Sequence, residues 1–164
     1  MRTWALDQFY IWRLLSVVAA LGLMQLPLPL GVSAWQPQWV LMVCLFWLWL
    51  HPTKLSILWI VFVGVMVDYV SGLPIGIHVM CFLVVIGLVL WKHYQLMHFN
   101  RLHQFFFSIV LFLCYFLMMR LGFAMCQLEW SWVMMLQTFV STCVLWTLCI
   151  MRFNFHGFWF NYVD

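Results

Sequence analysis

The chain has 164 residues, of which 68% are hydrophobic and 7% charged, and seven Lys and Arg against four Asp and Glu leave a net charge of +3. A water-soluble domain carries about 25% charged residues and needs a polar exterior, so this composition excludes a soluble globular fold. The small positive balance gives no reason to expect nucleic acid as a partner, which would call for a clustered basic face.

A helical membrane span takes about 20 predominantly apolar residues. Six apolar runs fit that requirement or approach it, at residues 14–30, 34–50, 55–70, 73–91, 105–126 and 130–151. Barrel strands alternate apolar and polar side chains, whereas a segment such as 57–67 is apolar on every face. The expectation is an all-α integral membrane protein: a single polytopic domain over 1–164, built as a compact bundle of about six transmembrane helices.

The first run follows Arg2 and Arg13 and reaches Pro27 and Pro29; Val32-Ser33-Ala34 loosely matches a signal cleavage site. The run is long for a signal core, so an uncleaved first span is expected. The second and third runs are short, which leaves a re-entrant alternative open beside full crossings. Arg2, Arg13, Lys54, Lys92, Arg101 and Arg152, six of the seven basic residues, fall at alternate ends of the runs. Basic residues collect on the cytoplasmic side, so an even number of crossings with both termini cytoplasmic is expected.

Aromatic residues cluster where runs end: Trp4, Phe9, Tyr10 and Trp12 before the first, Trp91, Tyr94 and Phe99 after the fourth, and Phe158, Trp159, Phe160 and Tyr162 in the tail. Such rings anchor at headgroup depth. Residues 1–13 and 92–103 are expected to lie along the cytoplasmic face as short amphipathic stretches in contact with membrane lipids.

No C-x-x-C pair joins the six cysteines, which behave as small apolar residues in the runs. Among the histidines only His78 lies well inside a run, and a bis-His haem needs two axial ligands. His93, His98 and His103 are spaced five apart, so their rings turn by about 140° on a helix and share no face. No metal and no other cofactor is expected, and no paired carboxylates, nucleophile-base pair or phosphate loop suggests an enzyme.

Two charges sit inside runs, Asp68 in the third and Arg120 in the fifth. An intramembrane ionisable group is a functional candidate by default. Both lie in the outer half of their spans, so an ion pair between them is geometrically allowed. Asp68 also precedes a tight reversal, Ser71-Gly72-Leu73-Pro74-Ile75-Gly76, in which Ser71 is placed to cap the fourth helix and Pro74 to occupy its first turn. There the acid would meet the positive end of that helix. Both roles stay open for Asp68, as do pairing and snorkelling to the headgroups for Arg120. Gly72 and Gly76 match G-x-x-x-G, but with Pro74 between them they read as a turn.

The stretch Gly64-Val65-Met66-Val67-Asp68-Tyr69-Val70-Ser71-Gly72-Leu73-Pro74-Ile75-Gly76-Ile77-His78 resembles the signature of the bacterial rod shape-determining MreD family, in which an Asp precedes a Ser-Gly turn and a second Gly. Pro37-Gln38-Trp39-Val40-Leu41 is similar to the opening of that family's second span, and His51-Pro52 follows it. The resemblance implies a non-enzymatic inner-membrane subunit of the cell-elongation complex. Its expected partners are MreC by direct contact, with MreB, RodA and a class B penicillin-binding protein in the same assembly, directing lateral peptidoglycan synthesis and rod shape. It also implies a fold like the substrate-binding subunits of energy-coupling vitamin transporters, which bears on architecture alone. Arg120 matches no feature of the family.

The rival expectation is a vitamin-type carrier subunit, for which Asp68, Ser71, His78, Gln25 and Arg120 would have to converge on an outward pocket. Ser16 and Ala20 would supply its small-residue docking surface.

Overall fold

The computed structural model describes residues 3–50, 56–92, 101–129 and 131–152, with backbone alone for 3–9, 30, 31 and 101. The elements are α1 (Thr3–Met24), α2 (Leu30–Ser33), α3 (Trp39–Leu50), α4 (Ile57–Ser71), α5 (Ile77–Trp91), α6 (Arg101–Met125) and α7 (Trp132–Arg152). Among the described residues six elements are true helices, α2 is a single turn, and no strand occurs.

Proline and glycine set the limits that apolarity alone does not. Pro27 and Pro29 cannot donate an N–H to a helix ladder, so α1 stops at Met24 rather than continuing to Leu30. Gln36 Nε2 donates to the carbonyls of Leu23 and Met24 at 2.8 and 3.0 Å, satisfying two acceptors that the helix end leaves over. Ala34 to Gln38 form no helix, and α3 begins at Trp39, after Pro37. The fourth apolar run likewise becomes helical only at Ile77, because Leu73 to Gly76 are used as a turn. The segment before Leu14, expected as a separate surface stretch, belongs to α1 without a break. Residues 93–100, with Tyr94 and Phe99, and the tail carrying Phe158, Trp159, Phe160 and Tyr162 lie outside the described residues.

At 1.5 Å per residue α6 and α7 are roughly 37 and 31 Å long, enough for a hydrocarbon core of about 30 Å. Among the described residues they are the two helices both long and apolar enough to cross a membrane, and the segment Tyr10–Met24 with α3, α4 and α5 forms a shorter apolar set.

The helices pack chiefly as α4 on α5, α5 on α6, α1 on α3 and α6 on α7, with α3 also meeting α5 and α7. The shortest long element is the innermost: α3 buries Val40, Leu41, Met42, Cys44, Leu45, Leu48 and Trp49. The outermost is α7, which buries only Thr138, Thr142, Trp146 and Ile150, a stripe at four-residue spacing.

The outside of the bundle is as apolar as its core. Leu102, Phe106, Val110, Leu113, Leu117 and Leu121 line the exposed face of α6, and Leu58 at the start of α4 is 79% exposed. A helix facing water would carry polar residues there; lipid is the solvent that this surface suits. In lipid the apolar side chains do not sort inside from outside, and interior faces are marked by small and polar residues that bond across helices. Trp47 Nε1 donates to Ser16 Oγ at 2.8 Å, joining α3 to α1, and Trp146 Nε1 donates to Ser108 Oγ at 2.8 Å, joining α7 to α6. The backbone N–H of Gln38 donates to Thr142 Oγ1 at 3.1 Å, and Thr138 Oγ1 donates to the carbonyl of Ala34 at 3.2 Å.

Ser108→Ala leaves the buried indole N–H of Trp146 without its acceptor and is expected to cost about 1 kcal/mol. In a double-mutant cycle read by thermal unfolding in detergent, Trp146→Phe should cost less in the Ser108→Ala background than in the parent, by a coupling of about 0.5–1 kcal/mol. Strict additivity would show that the bond contributes nothing.

Candidate functional site: the Asp68 corner

The corner begins where α4 and α5 come closest. A Cβ on Gly64 would lie 2.8 Å from Val79 Cα and 2.9 Å from Val79 Cγ2, so only glycine permits this approach. One turn further along, Asp68 is fully buried, at 0% exposure.

The chain then reverses through a Schellman end. The N–H of Leu73 donates to the carbonyl of Asp68 at 3.0 Å and that of Gly72 to the carbonyl of Tyr69 at 3.3 Å, with Gly72 left-handed at φ +65°. Gly76, at φ +117°, makes the second left-handed step just before α5. Neither glycine has a neighbour within 4 Å of where a Cβ would stand, so it is the backbone conformation that requires them and not the space.

The Asp68 side chain closes the loop. Its Oδ2 accepts the Gly76 N–H at 2.7 Å, and its Oδ1 accepts the His78 N–H at 2.9 Å and the His78 Nδ1–H at 2.7 Å. Those amides open α5 and have no earlier carbonyl of their own helix to bond. A carboxylate at the positive end of a helix, holding its unpaired donors, is favoured electrostatically and by geometry. One residue from the end of α4 thus fastens the beginning of α5.

His78 is 1% exposed. Its ring lies beside Phe82 and Tyr115, with centroids 6.1 and 6.4 Å away, and Phe82 stacks on Tyr115 at 5.9 Å. Tyr115, on α6, donates its hydroxyl to Gln38 Oε1 at 3.4 Å, ahead of α3. Gln25 Nε2 donates to the carbonyl of Val70 at 2.8 Å and ties the chain leaving α1 to the end of α4. Side chains and backbone groups at the ends of α1 and α4 and the beginnings of α3, α5 and α7 are joined at this one end of the bundle.

Three sequence expectations need correction here. Ser71 does not cap α5; it is the last residue of α4, its Oγ is buried without a bonding partner, and the capping oxygens are those of Asp68. Pro74 is in the turn and not in the first helical turn, because α5 starts three residues later. Asp68 takes its partners from Gly76 and His78 and makes no ion pair with Arg120, whose guanidinium carbon stands 4.5 Å from the Trp132 ring centroid, between α6 and α7. Cation and aromatic face attract one another there.

Sequence reasoning put His78 inside a span and grouped it with Asp68 only in the carrier reading, without foreseeing their bond; the clue was a second polar group ten residues on, across a turn. Gln36, Gln38, Thr138 and Thr142 were also missed. They are polar residues in an apolar chain, and that rarity was the available signal.

Cavities of about 430 and 320 Å³ are lined by Tyr10, Ile11, Arg13, Leu14, Ser56 and Trp59, and by Leu102, Phe105, Thr147, Ile150 and Met151. Neither includes Asp68, Ser71, His78, Gln25 or Arg120. Ser16 and Ala20 are not a docking surface either: Ala20 is 2% exposed and Ser16 bonds Trp47 inside the α1/α3 packing. Among the described residues no group of three or more His, Cys, Asp or Glu is placed to hold a metal.

The sequence profile of the rod shape-determining protein MreD family matches residues 5–161, nearly the whole chain. The chain belongs to the MreD family. It is a membrane protein, as members of that family are, and the Asp68 corner lies in the middle of the matched region. The rod shape-determining protein MreD of Haemophilus influenzae is 35% identical over 52 residues, an alignment covering 32% of this chain and 32% of that relative. No solved structure matches the chain.

Proposed function

We propose that the chain acts as a non-enzymatic rod shape-determining subunit of the inner membrane, holding MreC within the cell-elongation complex beside MreB, RodA and a class B penicillin-binding protein. The reading includes a multi-pass topology with cytoplasmic termini, in which the shorter helices reach across with the help of their flanking residues, and an architecture like that of the vitamin-transporter binding subunits.

One observation supports it most. The buried carboxylate of Asp68 is fully engaged by three N–H donors from the neighbouring helix, so the most conspicuous polar group in the bundle fastens helices and does not face a substrate. What the protein offers outward is apolar helix surface on α6 and α7. Membrane helices associate through close packing of such surfaces with a few interhelical bonds, which suits recognition of another membrane helix.

The test is capture of full-length MreC by the affinity-tagged chain after mild detergent extraction. Stable co-purification, together with restored rod shape when the gene complements a deletion strain, is the expected result. Complementation without any capture would remove MreC binding from the reading and leave the family role.

A further inference from the structure

The larger cavity lies at the other end of α4 from Asp68, between the opening of α4 and the first half of α1. Tyr10, Ile11, Leu14 and Trp59 give it apolar walls. Tyr10, Ile11 and Leu14 are 57, 55 and 48% exposed, so the groove opens sideways, toward the surface that lipid would cover. At about 430 Å³ it falls within the range of roughly 300–1,000 Å³ in which small ligands are held.

Among the described residues its polar members are Tyr10, Arg13 and Ser56. Arg13 is the one charged residue among the described residues lining it, and this cation is 4% exposed, with its guanidinium carbon 6.0 Å from the Tyr10 ring centroid. Ser56 precedes α4 in an extended conformation, and its hydroxyl makes no capping bond to the helix. Trp59 and Ile60 direct their N–H groups to the Ser56 carbonyl, while the first turn of α4 keeps the positive end of its dipole toward the groove.

We infer that this groove binds one anionic phospholipid, its phosphate at Arg13 and Ser56 and an acyl chain along Ile11, Leu14 and Trp59. Apolar walls open to lipid match a hydrocarbon chain, and a buried cation and a hydroxyl at a helix start, both lining the groove, match a phosphate. A zwitterionic lipid brings the same phosphate together with its own cation, which Arg13 repels, so net negative charge is selected.

Native mass spectrometry of the full-length chain in detergent provides the test, with dioleoyl phosphatidylglycerol, dioleoyl phosphatidylcholine and soluble glycerol phosphate as probes. The parent is expected to retain phosphatidylglycerol about tenfold more tightly than phosphatidylcholine and to bind no glycerol phosphate. Arg13→Gln should reduce that preference to about twofold or less. Leu14→Trp, which fills the groove and keeps the cation, should lose the tight adduct; Lys92→Gln, a cation outside the groove, should keep it. Leu14 is half exposed, so its variant remains decisive where Arg13→Gln does not fold. Equal retention of the two lipids by the parent, loss of preference in Lys92→Gln, or full preference in Leu14→Trp would overturn the inference.

Discussion

Asp68→Ala is expected to lower the unfolding temperature in detergent by on the order of 10 °C, because removing a buried, multiply bonded carboxylate costs about 3–5 kcal/mol. The loss arises from what stays behind. The N–H groups of Gly76 and His78 and the ring N–H of His78 keep their burial and lose their acceptors, each at about 1–3 kcal/mol if water does not reach them. Asp68→Asn should recover only part of the loss, since its amide offers one acceptor where two oxygens now serve three donors. Asp68→Glu is no remedy, because a side chain with no exposure has no room for a further methylene. In cells, Asp68→Ala is expected to fail both in MreC capture and in restoring rod shape. An Ala variant that does both normally would show that the corner is dispensable.

Gly64→Ala should be nearly as damaging, though it adds a single methyl. The new Cβ would meet the backbone of Val79 at 2.8 Å, and backbone cannot turn aside as a side chain can. Either α4 and α5 separate or the helices tilt, at about 1–3 kcal/mol or more. Val79→Ala removes the contact with Cγ2 and leaves the one with Cα, so it should rescue Gly64→Ala only in part. By contrast Gly87→Ala, with nothing within 4 Å of its Cβ position, is expected to be neutral or slightly stabilising, by up to about 1 kcal/mol. Thermal melts of the three variants in one detergent separate these outcomes, and a harmless Gly64→Ala would contradict the close crossing.

The membrane class was legible because it rests on a bulk property, the shortage of charge. The acid and its turn were legible because Asp68, Gly72, Pro74 and Gly76 are of types that interrupt an apolar chain for a physical reason. The limits of the helices were less so. Leu28 and Leu30 look like a continuation of the first span until Pro27 and Pro29 are given the weight their missing N–H groups deserve, and Leu73 and Ile75 look helical although they form the turn. The inward faces were not legible at all for α3, α4 and α5. Leu58 and Ile60 are equally greasy, yet one is 79% and the other 0% exposed; in lipid nothing in their chemistry tells them apart. On α7, where Thr138, Thr142 and Trp146 are spaced by four, the buried stripe was within reach of the sequence.

The choice between an Asp68–Arg120 pair and a cap turned on distance along two different helices, which depth counting treats as one coordinate. Equal depth did not make the residues neighbours. α5 lies between α4 and α6 in the packing order, and its own first amides reach Asp68 before any side chain from α6. His78 then adds a third donor from the same helix start, which depth counting does not anticipate.

The fastening of α5 by Asp68 is tested most directly by amide hydrogen exchange in detergent, resolved at Gly76 and His78, in the parent and in Asp68→Asn. If the carboxylate holds those two N–H groups, their exchange in the variant should quicken by about tenfold or more, while the amides of α7 at Thr142 and Trp146 exchange as before. Unchanged protection at Gly76 and His78 in the variant would contradict the fastening, and with it the role assigned to the corner.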